Sequence, residues 1–100
     1  DVDGLFCAND QLAVGAFHAC QDAGLRVPED VALVGMDNSR DATVCRPQLS
    51  SVDLRFADRG RLAGQMLLDR IHGRYTGAPR RQQVYTELVV RGSSSRRRDT

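Results

Sequence analysis

The chain repeats one event: a short apolar run ends in a polar pair. Leu5-Phe6-Cys7-Ala8 runs into Asn9-Asp10, and Val31-Ala32-Leu33-Val34-Gly35-Met36 runs into Asp37-Asn38. The segment between them has helical period. Leu12, Ala16, Cys20 and Ala23 recur at that spacing with Ala13 and Phe17 beside them, a stripe wide enough to lie on a sheet. Asn9 or Asp10 is placed to cap a helix from Gln11 to Ala23, because a short side-chain oxygen accepts from the unpaired amides of a first turn. For Asp10 the cap is the whole reading. Gly24 closes the helix, and Pro28, Glu29 and Asp30 turn the chain into the second run. That run is continuously apolar rather than alternating, which predicts a strand covered on both faces.

Strand, helix and strand in that order make a right-handed crossover with parallel strands, and open α/β sheets bind ligands beyond the carboxyl ends of such strands. Asn9 and Asp37 are therefore candidate ligand residues. Capping of the helix by Asn9, and of the turn after the second strand by Asp37, are the competing structural roles.

Beyond Asn38 the pattern changes. Ser39 to Arg46 reads as a short helical turn ahead of Pro47, and Leu49 to Leu54 as a brief extended crossing segment. A second clear helix runs from Phe56 to His72, with Phe56, Ala63, Met66, Leu67 and Ile71 on one face and Gly73 at its end. Gln83 to Val90 reads as a final strand, with Val84, Thr86 and Leu88 on one side, and Ser93 to Thr100 as a polar tail.

Composition narrows the class. A chain of 100 residues with 41% apolar content makes one small α/β unit at most. A net charge of +1 supplies no general attraction to nucleic acid or membrane, and no apolar run is long enough to span a bilayer. Asp1 in place of a methionine leads to the expectation that an upstream part is missing. Cys7, Cys20 and Cys45 are odd in number and lack metal-ligand spacing, so reduced, buried thiols in a reducing cytoplasm are expected. His18 and His72 stand far apart, so no metal or other cofactor is expected. All 14 basic residues are arginine, which is attributed to the base composition of the coding DNA. The run Arg96-Arg97-Arg98 is short enough to be simply solvated.

Five pieces in order carry a family resemblance: Ala8-Asn9-Asp10, Gly24 to Val31, Val34-Gly35-Met36-Asp37-Asn38, Pro47-Gln48-Leu49-Ser50-Ser51-Val52, and Leu88-Val89-Val90-Arg91. Together they resemble the C-terminal part of lactose-repressor-family (LacI/GalR) transcription regulators. The resemblance implies part of a periplasmic-binding-protein-like (type I) domain: a parallel sheet with flanking helices, here covering residues 1–94, with 95–100 a disordered tail. It implies a small sugar-like effector, a homodimer, and operator DNA bound only through a helix-turn-helix that this chain lacks. Asp37 matches an acidic effector contact and Asn9 a sugar-contacting position. Leu54 falls where other members place a polar contact, and the neighbouring Asp53 is a substitute. Val14, His18, Val44 and Cys45 match positions at the family's subunit interface. The helix within 55–74 is expected to pack on an N-terminal subdomain absent here, so the fragment alone has a partial sheet and an unsupported helix.

Two other classes compete. A fragment of a periplasmic sugar-binding transport protein shares the architecture and is separated from a regulator by what lies upstream, a signal peptide or a helix-turn-helix. Asp1-Val2-Asp3-Gly4 with Asp37 and Asp41 resembles the acidic motifs of haloacid-dehalogenase-type phosphatases. No apolar strand precedes Asp1, no lysine is present and the two motifs lie too close together, so the chain is read as no enzyme.

Overall fold

The computed structural model describes residues 2–96; Asp1, Arg97 and Arg98 lie outside them. Seven elements follow one another: β1 (Gly4–Phe6), α1 (Asp10–Asp22), β2 (Ala32–Met36), α2 (Arg40–Val44), β3 (Ser50–Asp53), α3 (Phe56–Ile71) and β4 (Glu87–Val89). The strands form one sheet in the order β1-β2-β3-β4, the first two pairings parallel and the last antiparallel. This is the expected α/β crossover sheet with one reversed edge strand.

Local chemistry sets the boundaries. Asn9 caps α1, its side-chain oxygen accepting from the Leu12 amide at 2.8 Å. Gly24 ends the helix at φ +72°, where the absence of a Cβ removes the steric cost, and the Leu25 amide bonds back to the Cys20 carbonyl at 2.8 Å. Asp30 then closes the loop into β2: its carboxylate takes the Arg26 amide at 2.7 Å and the Arg26 guanidinium through both oxygens at 3.0 Å.

The core is small and one-sided. Ala13, Cys20, Val31, Leu33, Ala42 and Leu49 are buried together, with Cys7, Ala16, Phe17 and Val27 packed against them. The buried line of α1 thus runs through Ala13, Ala16, Phe17 and Cys20. Leu12 and Ala23, read as part of that stripe, are exposed, because they lie a step around the helix from the face that meets the sheet. Only alternate residues of β2, Leu33 and Gly35, are buried. The expectation of cover on both faces is corrected: α1 and α2 pack on one face, whereas Phe6 and Leu88 remain exposed.

β4 is shorter than the predicted Gln83 to Val90. β3 has four residues, and its register pairs Asp53 with Glu87 and Ser51 with Val89. Past Asp53 the chain turns through Arg55 at φ 56° into α3, so residues 83–86 have no strand to join. α3 buries none of its residues, and Leu67 and Ile71 are more than 60% exposed. The radius of gyration, 18.6 Å, exceeds the roughly 13 Å of a compact chain of this length.

Ser93 corrects the reading of a tail that starts there. It is fully buried. Its amide donates to the Gln48 carbonyl at 2.9 Å, its carbonyl accepts from Leu33 at 2.9 Å, and its hydroxyl donates to the Leu33 carbonyl while accepting from the Ser50 amide. Arg96 folds back further, donating to the carbonyls of Pro28 and Asp3.

The candidate effector site

The parallel strands deliver their carboxyl ends to one edge, and the predicted ligand residues arrive there with them. Asn9 follows β1, Asp37 follows β2, and Asp53 closes β3 with Leu54 behind it. The Asp37 amide donates to the Val52 carbonyl at 2.9 Å, which sets Asp37 beside the end of β3.

The backbone at Asp37 and Asn38 is unusual. Their φ angles are 111° and 52°, a left-handed excursion over two successive non-glycine residues. Asn and Asp tolerate such angles better than other side chains, but Asp37 lies well outside the ordinary left-handed well. Strain of this kind persists only where surrounding contacts fix it. Those contacts are plain here. The Asn38 amide donates to Ser51 Oγ at 2.9 Å, Arg91 donates to Asn38 Oδ1 at 2.7 Å, and Asn38 Nδ2 reaches Asp53 Oδ2 at 3.5 Å. Arg91 is itself anchored on the Leu49 carbonyl at 2.8 Å.

Each predicted residue has a structural job or freedom that bears on binding. Asn9 spends one oxygen on its cap, which leaves its amide nitrogen for another partner. Asp53 accepts the Arg55 amide at 2.8 Å, holding the turn that launches α3. Both Asp53 oxygens thus have a partner within the chain, Oδ1 the Arg55 amide and Oδ2 the Asn38 amide group, and a carboxylate keeps further lone pairs that accept from hydroxyl donors. The Leu54 carbonyl accepts from Arg59 Nε, and its apolar side chain is half-buried. Among the described residues, no group of three or more His, Cys, Asp or Glu side chains is arranged to hold a metal ion. Asp41, the second acid of the phosphatase-type reading, is exposed in the first turn of α2. A groove of about 210 Å³ lies elsewhere, between α3 and the segment bearing Gln82 and Val84, and touches none of the ligand candidates.

Sequence reasoning missed Asp10. It caps nothing: its carboxylate is 1% exposed and accepts three hydrogen bonds, from the Ser39 amide at 2.7 Å, the Ser39 hydroxyl at 2.8 Å and the Ser51 hydroxyl at 2.6 Å. The available signal was Gly35, since a glycine inside an apolar strand marks a close approach. A Cβ at Gly35 would lie 2.4 Å from Asp10 Oδ1. Asn38, Ser51 and Arg91 were likewise quoted in the motifs without a role.

The proposed interface residues lie on α1 and at α2. His18 and Val44 are exposed, whereas Val14 and Cys45 are half-buried, so Val14 is no core residue. Burial pushes the Cys45 thiol above its ordinary range, with Asp41 adding to it, and burial does the same at Cys7, where Cys20 adds to it.

Similarity to known proteins accords with this geometry. Residues 2–94 match the family described as periplasmic binding protein-like domain. The chain is 41% identical to the HTH-type transcriptional regulator CelR of Thermobifida fusca over 93% of this chain and 27% of that regulator. Among solved structures, a transcriptional regulator CelR-cellobiose complex superposes with a TM-score of 0.89 at 40% identity, over 94% of this chain and 28% of that one. A LacI family transcriptional regulator from Arthrobacter sp. FB24 in complex with lactose gives 0.85 at 35% identity, over 93% and 35%. The chain thus spans about a quarter of the length of the curated relatives it matches. With its crossover sheet and its polar carboxyl edge, the chain belongs to the periplasmic binding protein-like domain family, in the form found in LacI-type transcription regulators.

Proposed function

We propose that the chain is the effector-facing and dimer-forming part of the sensor domain of a longer, cytoplasmic LacI-type regulator, and that its effector is a sugar. The observation that carries this reading is the carboxyl edge itself, where Asp37 is held at a strained φ beside the end of β3 and Asn9 follows the neighbouring parallel strand. Two carboxylates offer acceptors for hydroxyl groups, and leaving a buried polar partner unmatched costs about 1–3 kcal/mol, enough to discriminate between polyols. The cellobiose and lactose bound by two similar structures favour the same ligand class.

In this reading Val14, His18, Val44 and Cys45 face a second copy, and α3 packs its exposed stripe on the N-terminal subdomain. A sugar in the cleft biases the relative orientation of the two subdomains, and the dimer passes this to the spacing of two DNA-reading domains. The regulator is preferred over an exported sugar receptor because the relatives named above are transcription regulators.

The test uses the full-length protein. Calorimetry with cellobiose and with lactose is expected to show binding of at least one, and Asp37→Ala is expected to abolish the sugar-dependent change in operator affinity while leaving operator binding itself intact. An unchanged sugar response in Asp37→Ala removes Asp37 from the site.

A further inference from the structure

We propose that Asp10 is a positioning residue for the effector site: its buried carboxylate holds the loop of Asp37, Asn38 and Ser39 in the conformation that presents Asp37. The inference rests on the sugar-sensor reading for what the loop binds, but not for what holds the loop.

A carboxylate buried with no cation among its partners is expensive, and an ordinary helix cap does not require it. Asn9 already supplies that cap. Two things make the burial tolerable. Asp10 lies in the first turn of α1, where the helix dipole favours negative charge, and both carboxylate oxygens receive donors.

The donors all come from the loop and its support. Ser39, directly after Asn38, gives its amide and its hydroxyl to Oδ2. Ser51 on β3 gives its hydroxyl to Oδ1 and accepts the Asn38 amide on the same oxygen. An ionised carboxylate only accepts, so it fixes the direction of each bond: the Ser51 proton points to Asp10, and the lone pairs of that hydroxyl point to Asn38. Two consecutive loop amides are therefore fastened to one buried charge, one directly and one through Ser51. They follow Asp37 immediately, whose φ of 111° requires such fastening.

Gly35 supplies the second, independent observation. The strand that leads into the loop dispenses with a side chain at the one place where a Cβ would meet Asp10 Oδ1, at 2.4 Å. The seat for the carboxylate is built into β2.

The test compares amide exchange in the sugar-free, full-length protein with that of Asp10→Asn and of Ser51→Ala. Ser51→Ala removes only one hydroxyl and keeps the variant set informative if Asp10→Asn folds poorly. The expected result is exchange faster by about tenfold at Asn38 and Ser39, with no change at Cys7 and Leu33, whose amides bond within the sheet layer. The apparent Kd for cellobiose or lactose rises about tenfold as well, and this loss shrinks in an Asp37→Asn background, which keeps one acceptor oxygen for the sugar, because Asp10 acts through Asp37. Unchanged loop exchange in both variants overturns the proposal. So does equal loosening of Cys7 and Leu33, which makes Asp10 a residue of the fold alone. Failure of the unsubstituted protein to bind either sugar refutes the sugar reading and leaves the exchange comparison to decide the role of Asp10.

Discussion

Gly35→Ala tests the packing at the heart of the sheet. The added methyl would stand 2.4 Å from Asp10 Oδ1, 3.1 Å from Leu49 Cδ2 and 3.3 Å from Asp10 Cα. Leu49 and Asp10 are both buried, so neither has an open direction in which to retreat. If Asp10 Oδ1 moves away, the 2.6 Å bond from Ser51 is lost. Overpacking of a filled core costs about 1–3 kcal/mol, and a hydrogen bond to a charged group contributes about 1.5–3 kcal/mol. The substitution should therefore destabilise by about 3–5 kcal/mol, a large share of the roughly 5–15 kcal/mol of a typical domain. Urea unfolding of the full-length protein, followed by circular dichroism, measures it. Gly15→Ala, in α1 with nothing within 4 Å of the new methyl, is the control and should stabilise by up to about 1 kcal/mol. In an Asp10→Ala background the vacated volume accepts the methyl, so the cost of Gly35→Ala should shrink. A cost within about 0.5 kcal/mol of zero, or an equal cost in both backgrounds, refutes the reasoning.

Three further outcomes are expected. Hydrogen bonds from the Arg26 guanidinium, then from its amide, hold the Asp30 carboxyl at about 2, so its contribution is complete above about 3.9 and fades as pH falls towards 2. A carboxyl titration by nuclear magnetic resonance should show this, and Arg26→Gln should return Asp30 to the ordinary range; an unmoved midpoint in that variant removes Arg26 as the cause. The thiols of Cys7 and Cys45, raised chiefly by burial, should react with a disulfide reagent at pH 8 more slowly than free cysteine, and labelling at the free rate contradicts their burial. Val44→Asp should shift the full-length protein from dimer to monomer in sedimentation velocity, since Val44 is 60% exposed on α2; an unchanged dimer takes Val44 out of the interface.

What was legible in the sequence was local. The Asn9 cap, the Gly24 stop, the crossover from β1 to β2 and the placement of Asp37 at a carboxyl edge all follow from period, turn chemistry and element order. What was not legible depends on partners distant along the chain. Asp10 looked like a second cap because Asn-Asp before a helix fits one, and its true partners are 29 and 41 residues away. The extra length read into β4 failed because its partner strand stops at Asp53, a fact of β3 and Arg55 rather than of residues 83–86. The continuous apolar run of β2 reported hydrophobicity correctly, but hydrophobicity does not state which face receives a helix.

The fold-back of the last described residues sets an order in time. Three parallel strands lie between residues 4 and 53, yet the amide of Leu33 and that of Ser50 are satisfied by Ser93, and Arg96 reaches Asp3 across 93 positions. A chain emerging from the ribosome makes β1, β2 and β3 long before it makes the residues that seal them. Through the whole synthesis of α3, β3 has no β4 to pair with and the Ser50 amide has no Ser93 to receive it. Non-local closure of this kind is slow, so between the synthesis of Asp53 and that of Ser93 the edge of β3 is open to capture by chaperones or by other unfinished chains.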